Sequence, residues 1–172
     1  DYIEQISQSG GFLGIAFIIT AALLFFSQKT KKKDKTIELM TYKDATVIGL
    51  MQGVAVMPGI SRSGSTTSSG LFMGVEKESS MRFAFLMSIP IIMGSAVLGV
   101  KDIISTPEPI NWATIIAGMI SAGVSGYFAV KFMLNFFKKR SLNVFAIYVG
   151  ILGILVLVDQ LFFQKFFTVF LI

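Results

Sequence analysis

Two stretches, Phe12 to Phe26 and Val144 to Val158, are apolar on every side, and a helix without a polar face has no stable place in water. A soluble core would alternate apolar and polar faces, so these runs face lipid or one another. The rest of the sequence agrees, since 53% of the 172 residues are hydrophobic, 15% are charged and the mean hydropathy is +0.74. That is too apolar for an ordinary soluble domain. The expected fold class is an all-α integral membrane protein forming a single membrane domain over 1–172.

The hydropathy pattern predicts four transmembrane helices, at 7–26, 83–100, 112–137 and 141–163. Between the first two, the pattern changes. Two short apolar arms, Asp44 to Met57 and Thr66 to Gly74, flank the Gly- and Ser-rich run from Met57 to Thr66. As helices the arms extend roughly 20 Å and 13 Å, and neither can cross a core about 30 Å thick. Residues 44–74 are therefore expected to form a re-entrant helix-loop-helix hairpin, whose irregular backbone lipid tolerates only where protein buries it or it lines a wet cavity.

Charge sets the expected orientation. Lys29, Lys31, Lys32, Lys33 and Lys35 follow the first span, and Lys138, Lys139 and Arg140 follow the third. The positive-inside rule puts both loops in the cytoplasm, although the lysine run also reads as a solvated linker. The segment from Lys101 to Asn111 carries Asp102, Glu108, Pro107 and Pro109 and is expected outside, as are both chain ends. The net charge of +5 lies beside apolar spans, which argues against nucleic acid as a partner. Within the spans, Pro90 is expected to kink its helix, Gly118, Gly123 and Gly126 to allow close helix packing, and Lys131 to snorkel to the interface. Asp1 is preceded by no Met and followed by no basic n-region or cleavage pattern, so the sequence reads as a piece of a longer chain without a signal peptide.

The chain has no Cys and no His. Disulfides, thiolate or imidazole metal sites and Ser-His or Cys-His pairs are excluded, and no metal site is expected within the chain. What remains is hydroxyl, carboxylate, guanidinium, amine and backbone chemistry. Arg62 stands out, because a guanidinium within an apolar region is costly and marks a pathway or an anionic ligand. Ser61, Ser63, Ser65 and Thr66 surround it as donors, and Gly59 and Gly64 let backbone N–H groups approach a ligand. The start of the second arm adds the positive end of a helix dipole. Together they describe an oxyanion cradle suited to phosphate, which Arg grips bidentately. The competing reading is that Ser and Gly only let the hairpin pack. Spacing alone does not separate an enzyme from an anion or lipid transporter built on paired re-entrant hairpins.

The run Gln52-Gly-Val-Ala-Val-Met-Pro-Gly-Ile-Ser-Arg-Ser-Gly-Ser-Thr66, with Gly70-Leu-Phe-Met-Gly74 and Arg82-Phe-Ala-Phe-Leu-Met-Ser-Ile-Pro90, resembles the second signature of the undecaprenyl-diphosphate phosphatase family, the bacitracin-resistance type of integral membrane phosphatase. Its pattern P-G-x-S-R-S-x-x-T is matched at every fixed position from Pro58 to Thr66. The likeness covers essentially the whole chain.

The resemblance implies two inverted repeats, of which this chain is the second, with hairpin tips meeting at a site open to the extracytoplasmic side of a bacterial plasma membrane. The implied reaction converts undecaprenyl diphosphate to the monophosphate carrier lipid reused in peptidoglycan synthesis. Arg62 would clamp the diphosphate, Ser61 and Ser63 would donate to it and Thr66 would complete the cradle. Pro58, Gly59, Gly64, Ser65 and Gln52 would shape the substrate site. The implied cofactor is a divalent metal, Mg or Ca, with ligands in the first repeat. The implied partners are the polyprenyl diphosphate and membrane lipids, and a homodimer is compatible with the family.

Overall fold

The computed structural model describes residues 10–30, 34–105, 111–139 and 141–163. Six α-helices carry the fold among them: α1 (Gly10–Gln28), α2 (Tyr42–Val54), α3 (Arg62–Phe72), α4 (Lys77–Ser105), α5 (Trp112–Lys139) and α6 (Asn143–Val158). A 3₁₀ turn at Ile37–Leu39 precedes α2, and a π-helical turn at Asp159–Phe163 extends α6. Helices α1, α4, α5 and the α6 segment Asn143–Phe162 are each long and apolar enough to cross a membrane. The chain is thus a helical membrane protein. Positions 7–9 of the first expected span, together with Lys31, Lys32, Lys33, Pro107, Glu108, Pro109 and Arg140, lie outside the described residues.

Helix α1 packs against α6 and buries Gly10, Gly14, Ala16, Thr20, Leu24 and Ser27; Gly14 faces α6, whereas Ala16 and Thr20 face the loop and tip before α3. A Cβ on Gly14 would stand 2.6 Å from Leu157 Cγ and 3.2 Å from the Gly153 carbonyl oxygen. Small residues here let two backbones approach closely. The close packing expected of Gly118, Gly123 and Gly126 is not found among the described residues, where a Cβ on any of them would meet nothing within 4 Å. The reason is that α5 is exposed along most of its length, so no neighbouring backbone lies against its glycines. Lys131 Nζ lies 5.7 Å from the centroid of the Tyr127 ring, one turn back along the span.

Helix α4 begins at Lys77, six residues before the expected start at 83. The Ser80 N–H donates to the Glu76 carbonyl at 2.9 Å, Ser79 Oγ donates to Glu76 Oε1 at 2.7 Å, and Arg82 pairs with Glu78 at 2.6 Å. These polar residues cap and extend a helix that apolarity alone does not reveal. The helix continues through Pro90 to Ser105.

The arms α2 and α3 are joined at their feet by Lys35, which sequence reasoning places only in a basic loop. Its N–H donates to the Gly74 carbonyl at 3.2 Å, and its carbonyl accepts from the Glu76 N–H at 2.9 Å. Its Nζ reaches both carboxylate oxygens of Asp44, at 3.0 and 3.1 Å. Asp44 also accepts from the Thr41 N–H at 2.9 Å, closing a capping box at the start of α2. Burial by itself raises the Asp44 pKa, but the Thr41 N–H, the Lys35 ammonium and the Thr41 hydroxyl outweigh it and hold the carboxyl below its ordinary 3.8.

A depressed folded-state pKa gives stability that is present above the ordinary value and lost as pH falls through the folded one. The melting temperature in detergent should therefore fall below pH 3.8. Asp44→Asn should flatten that fall and cost about 1–2 kcal/mol at neutral pH. An unchanged acid limb in the variant would show that Asp44 does not govern it.

The buried core joins Leu24, Leu71, Met81, Phe137, Leu142 and Ala146, drawn from α1, α3, α4, α5, the residue before α6, and α6. The ring centroids of Phe137 and Phe145 lie 4.8 Å apart beside it. This core sits at the end of the bundle to which the loops after α1 and α5 attach.

Candidate phosphate site

Helix α3 is the polar element of the bundle, and it buries Ser65, Thr66, Thr67, Ser68 and Ser69 among α1, α2 and α4. Its start is fixed by Ser61, whose extended backbone (φ −65°, ψ 114°) and side chain make it the N-cap. Ser61 Oγ accepts from the Gly64 N–H at 3.1 Å, and the Ser61 carbonyl accepts from the Ser65 N–H at 2.8 Å. The helix thus begins at Arg62, four residues before the expected arm at Thr66. Arg62 and Ser63 are its first two residues, whose N–H groups have no partner within a helix.

The structure brings Ser61, Arg62, Ser63 and Gly64 together at this tip. The guanidinium of Arg62 is half-buried, and among the described residues it has no hydrogen-bond or ion-pair partner. Ser63 is exposed, and its hydroxyl is likewise unpartnered among them. Pro58 and Gly59 lie in the preceding loop, where Gly59 takes φ +82° and presses on α1. The Ser61 N–H donates to Thr20 Oγ1 of α1 at 3.2 Å. Sequence reasoning passes over Thr20, although a lone hydroxyl amid an apolar run is a readable signal.

Other residues of the signature are turned to different tasks. Thr66 is 1% exposed and donates its hydroxyl to the carbonyls of Arg62 and Ser63, at 2.8 and 3.3 Å. Ser65 is fully buried, with its Oγ unpartnered among the described residues. Gln52 on α2 donates through Nε2 to the Met87 carbonyl at 3.4 Å, and its buried Oε1 has no partner among the described residues.

A cavity of about 90 Å³ lies beside the tip, with Ser61, Ser63, Gly64 and Thr67 on one wall and apolar side chains of α1, α4, α5 and α6 on the others. The guanidinium, the open N–H groups and the Ser63 hydroxyl are all donors, which is the chemistry an anion accepts from. The tip does not fit a divalent cation, which needs several oxygen ligands including carboxylates and would be repelled by Arg62. No group of three His, Cys, Asp or Glu able to hold a metal occurs among the described residues.

Known proteins resemble this chain over most of its length. The undecaprenyl-diphosphatase of Carboxydothermus hydrogenoformans is 43% identical over 163 residues, which cover 93% of this chain and 62% of that protein. The undecaprenyl-diphosphatase of Halothermothrix orenii is 38% identical over 159 residues, covering 92% of this chain and 61% of that protein. That of Methanothermobacter thermautotrophicus is 38% identical over 164 residues, covering 94% and 90%. The chain spans about six tenths of the length of the first two. Residues 1–155 match the family described as bacitracin resistance protein BacA, and the chain belongs to that family.

Proposed function

We propose that this chain takes part in the hydrolysis of undecaprenyl diphosphate to undecaprenyl phosphate, which returns the carrier lipid to cell-wall synthesis. The observation that carries the reading is the unpartnered Arg62 guanidinium at the open start of α3, within a chain about 40% identical to proteins named for this activity. In the reaction a water oxygen bonds to the terminal phosphorus, and the bond from that phosphorus to the bridging oxygen breaks. The electron pair stays on the lipid monophosphate, inorganic phosphate leaves, and one proton of the water is released. Arg62, Ser63 and the free N–H groups stabilise the charge that gathers on the transferring group.

Helices α2 and α3, of 13 and 11 residues, extend roughly 20 Å and 16 Å and are too short to cross a membrane. In this reading they form a re-entrant hairpin whose feet, tied by Lys35, rest on the cytoplasmic side and whose tip reaches mid-membrane. The hairpin is one of a pair in an inverted repeat, and the site opens to the extracytoplasmic side. A cysteine at Thr30 should be shielded from an impermeant thiol reagent in intact cells, and one at Asn111 should react; the reverse pattern would overturn the orientation.

The attacking or activating group and the metal ligands come, in this reading, from parts of the longer relatives that this chain does not span. The purified chain should then bind pyrophosphate without releasing phosphate when Mg²⁺ or Ca²⁺ is added. Loss of pyrophosphate binding would remove the phosphate site. Metal-dependent turnover by the chain alone would place the missing chemistry among its own residues.

A further inference from the structure

The two short helices α2 and α3 begin with the same kind of cap and complete it differently. At α2, Thr41 and Asp44 close a capping box, in which the Asp44 carboxylate accepts from the Thr41 N–H at 2.9 Å. At α3, Ser61 is the N-cap and the residue three places on is Gly64, which has no side chain to return that bond. The N–H of Ser61 is nevertheless satisfied. Its acceptor comes from another helix, Oγ1 of Thr20 on α1, at 3.2 Å. Thr20 is 1% exposed and lies near the middle of α1 (Gly10–Gln28). It is the only polar residue among Leu13, Ala16, Thr20 and Leu24, which lie against Gly59, Ser61 and the cavity beside the tip.

At the start of α2 the carboxylate is balanced by Lys35 Nζ at 3.0 Å. A carboxylate at position 64 would cap α3 equally well, but it would stand beside Arg62 and repel an anion. A threonine hydroxyl accepts the bond and adds no charge. Its methyl is used as well, since a Cβ on Gly64 would stand 3.5 Å from Thr20 Cγ2, and the methyl therefore lies against the first turn of α3. The four N–H groups of 61–64 are thereby divided. Those of Ser61 and Gly64 are taken by Thr20 and by Ser61 Oγ, at 3.2 and 3.1 Å, and those of Arg62 and Ser63 between them are left for a ligand. Without the Thr20 hydroxyl, the Ser61 N–H becomes an unmet donor in a part-buried place, and the chain satisfies it only by turning the cap.

Resting on the phosphate reading above, we propose that Thr20 is a positioning residue for the phosphate site. Its hydroxyl completes the α3 cap from α1 and holds the Arg62 and Ser63 N–H groups, and with them the root of the Arg62 side chain, in one direction. Affinity for phosphate thus depends on an uncharged residue that lies 41 positions before Ser61 and outside the signature.

The test measures pyrophosphate affinity, melting temperature and amide hydrogen exchange over 59–65 for the purified chain in detergent, as wild type, Thr20→Val and Thr20→Ser. Thr20→Val keeps the shape and removes the acceptor. Its pyrophosphate affinity should fall about three- to tenfold, the range that one hydrogen bond carries, and its Ser61 amide should exchange faster. Thr20→Ser keeps the acceptor and loses the methyl; it should hold affinity within about twofold of wild type, with the Ser61 amide still protected. Recovery by serine is a result that packing of the methyl alone does not give. Where Thr20→Val does not fold, Thr20→Ala is read in the same way. Wild-type affinity in the valine variant, or an equal loss in the serine variant, overturns the inference and leaves the phosphate site standing. Absence of pyrophosphate binding by wild type removes the phosphate site and the role of Thr20 together.

Discussion

Arg62→Lys is expected to weaken pyrophosphate binding by the chain about 10- to 100-fold, and to lower turnover of a full-length relative by at least as much when the matching arginine is changed. A charge-assisted hydrogen bond contributes about 1.5–3 kcal/mol, and about 1.4 kcal/mol is a factor of ten. Lysine keeps the charge but replaces a planar fork with one ammonium, so one of two parallel bonds to a phosphate is lost. The fold should not suffer, because Arg62 has no partner among the described residues to abandon. Its melting temperature in detergent should match wild type within a degree or two. Unchanged affinity in the lysine variant would mean that Arg62 is a packing residue, and Arg62→Met should then be tolerated or even stabilising.

Much of the fold was legible because lipid imposes a coarse rule: α1, α5 and α6 are long and apolar, and their expected spans overlap the helices closely. The tip drew attention in the sequence for a similar reason, since a lone arginine among hydroxyls and glycines has few uses inside a membrane protein. What was hidden depends on which backbone atoms come within reach. Ser63 and Thr66 are both hydroxyls of the signature, yet Thr66 spends its hydrogen on the Arg62 and Ser63 carbonyls while Ser63 does not. That choice follows from α3 beginning at Arg62, which puts a carbonyl four residues behind Thr66. Lys35 looked like one charge in a run, but its geometry with Asp44, Gly74 and Glu76 makes it the tie between the start of α2 and the segment after α3. Among glycines the sequence shows no difference between Gly14, which meets α6, and Gly118, which meets nothing among the described residues.

Gly59→Ala should be among the most damaging small substitutions in the chain. Gly59 takes φ +82°, where an L side chain costs about 1–2 kcal/mol. Its Cβ would also stand 2.8 Å from Ala16 Cβ and 3.2 Å from Leu13 Cδ2. Ala16 is 2% exposed, so it cannot yield without moving α1, and overpacking of this kind costs about 1–3 kcal/mol. The alternative is for the loop to lift from α1, which would stretch the 3.2 Å bond from the Ser61 N–H to Thr20 and tilt the N-cap that aims Arg62. Stability should fall by about 2–5 kcal/mol, and pyrophosphate affinity should fall with it. Gly11→Ala is the control, since a Cβ there meets nothing within 4 Å and it should be close to neutral. The two causes separate in a double-mutant cycle. Ala16→Gly in the Gly59→Ala background removes the close contact and should recover affinity together with about half the lost stability, while the backbone cost remains. A Gly59→Ala protein that melts and binds like wild type would show that the loop is not seated on α1 as described, and the geometry assigned to the tip would go with it.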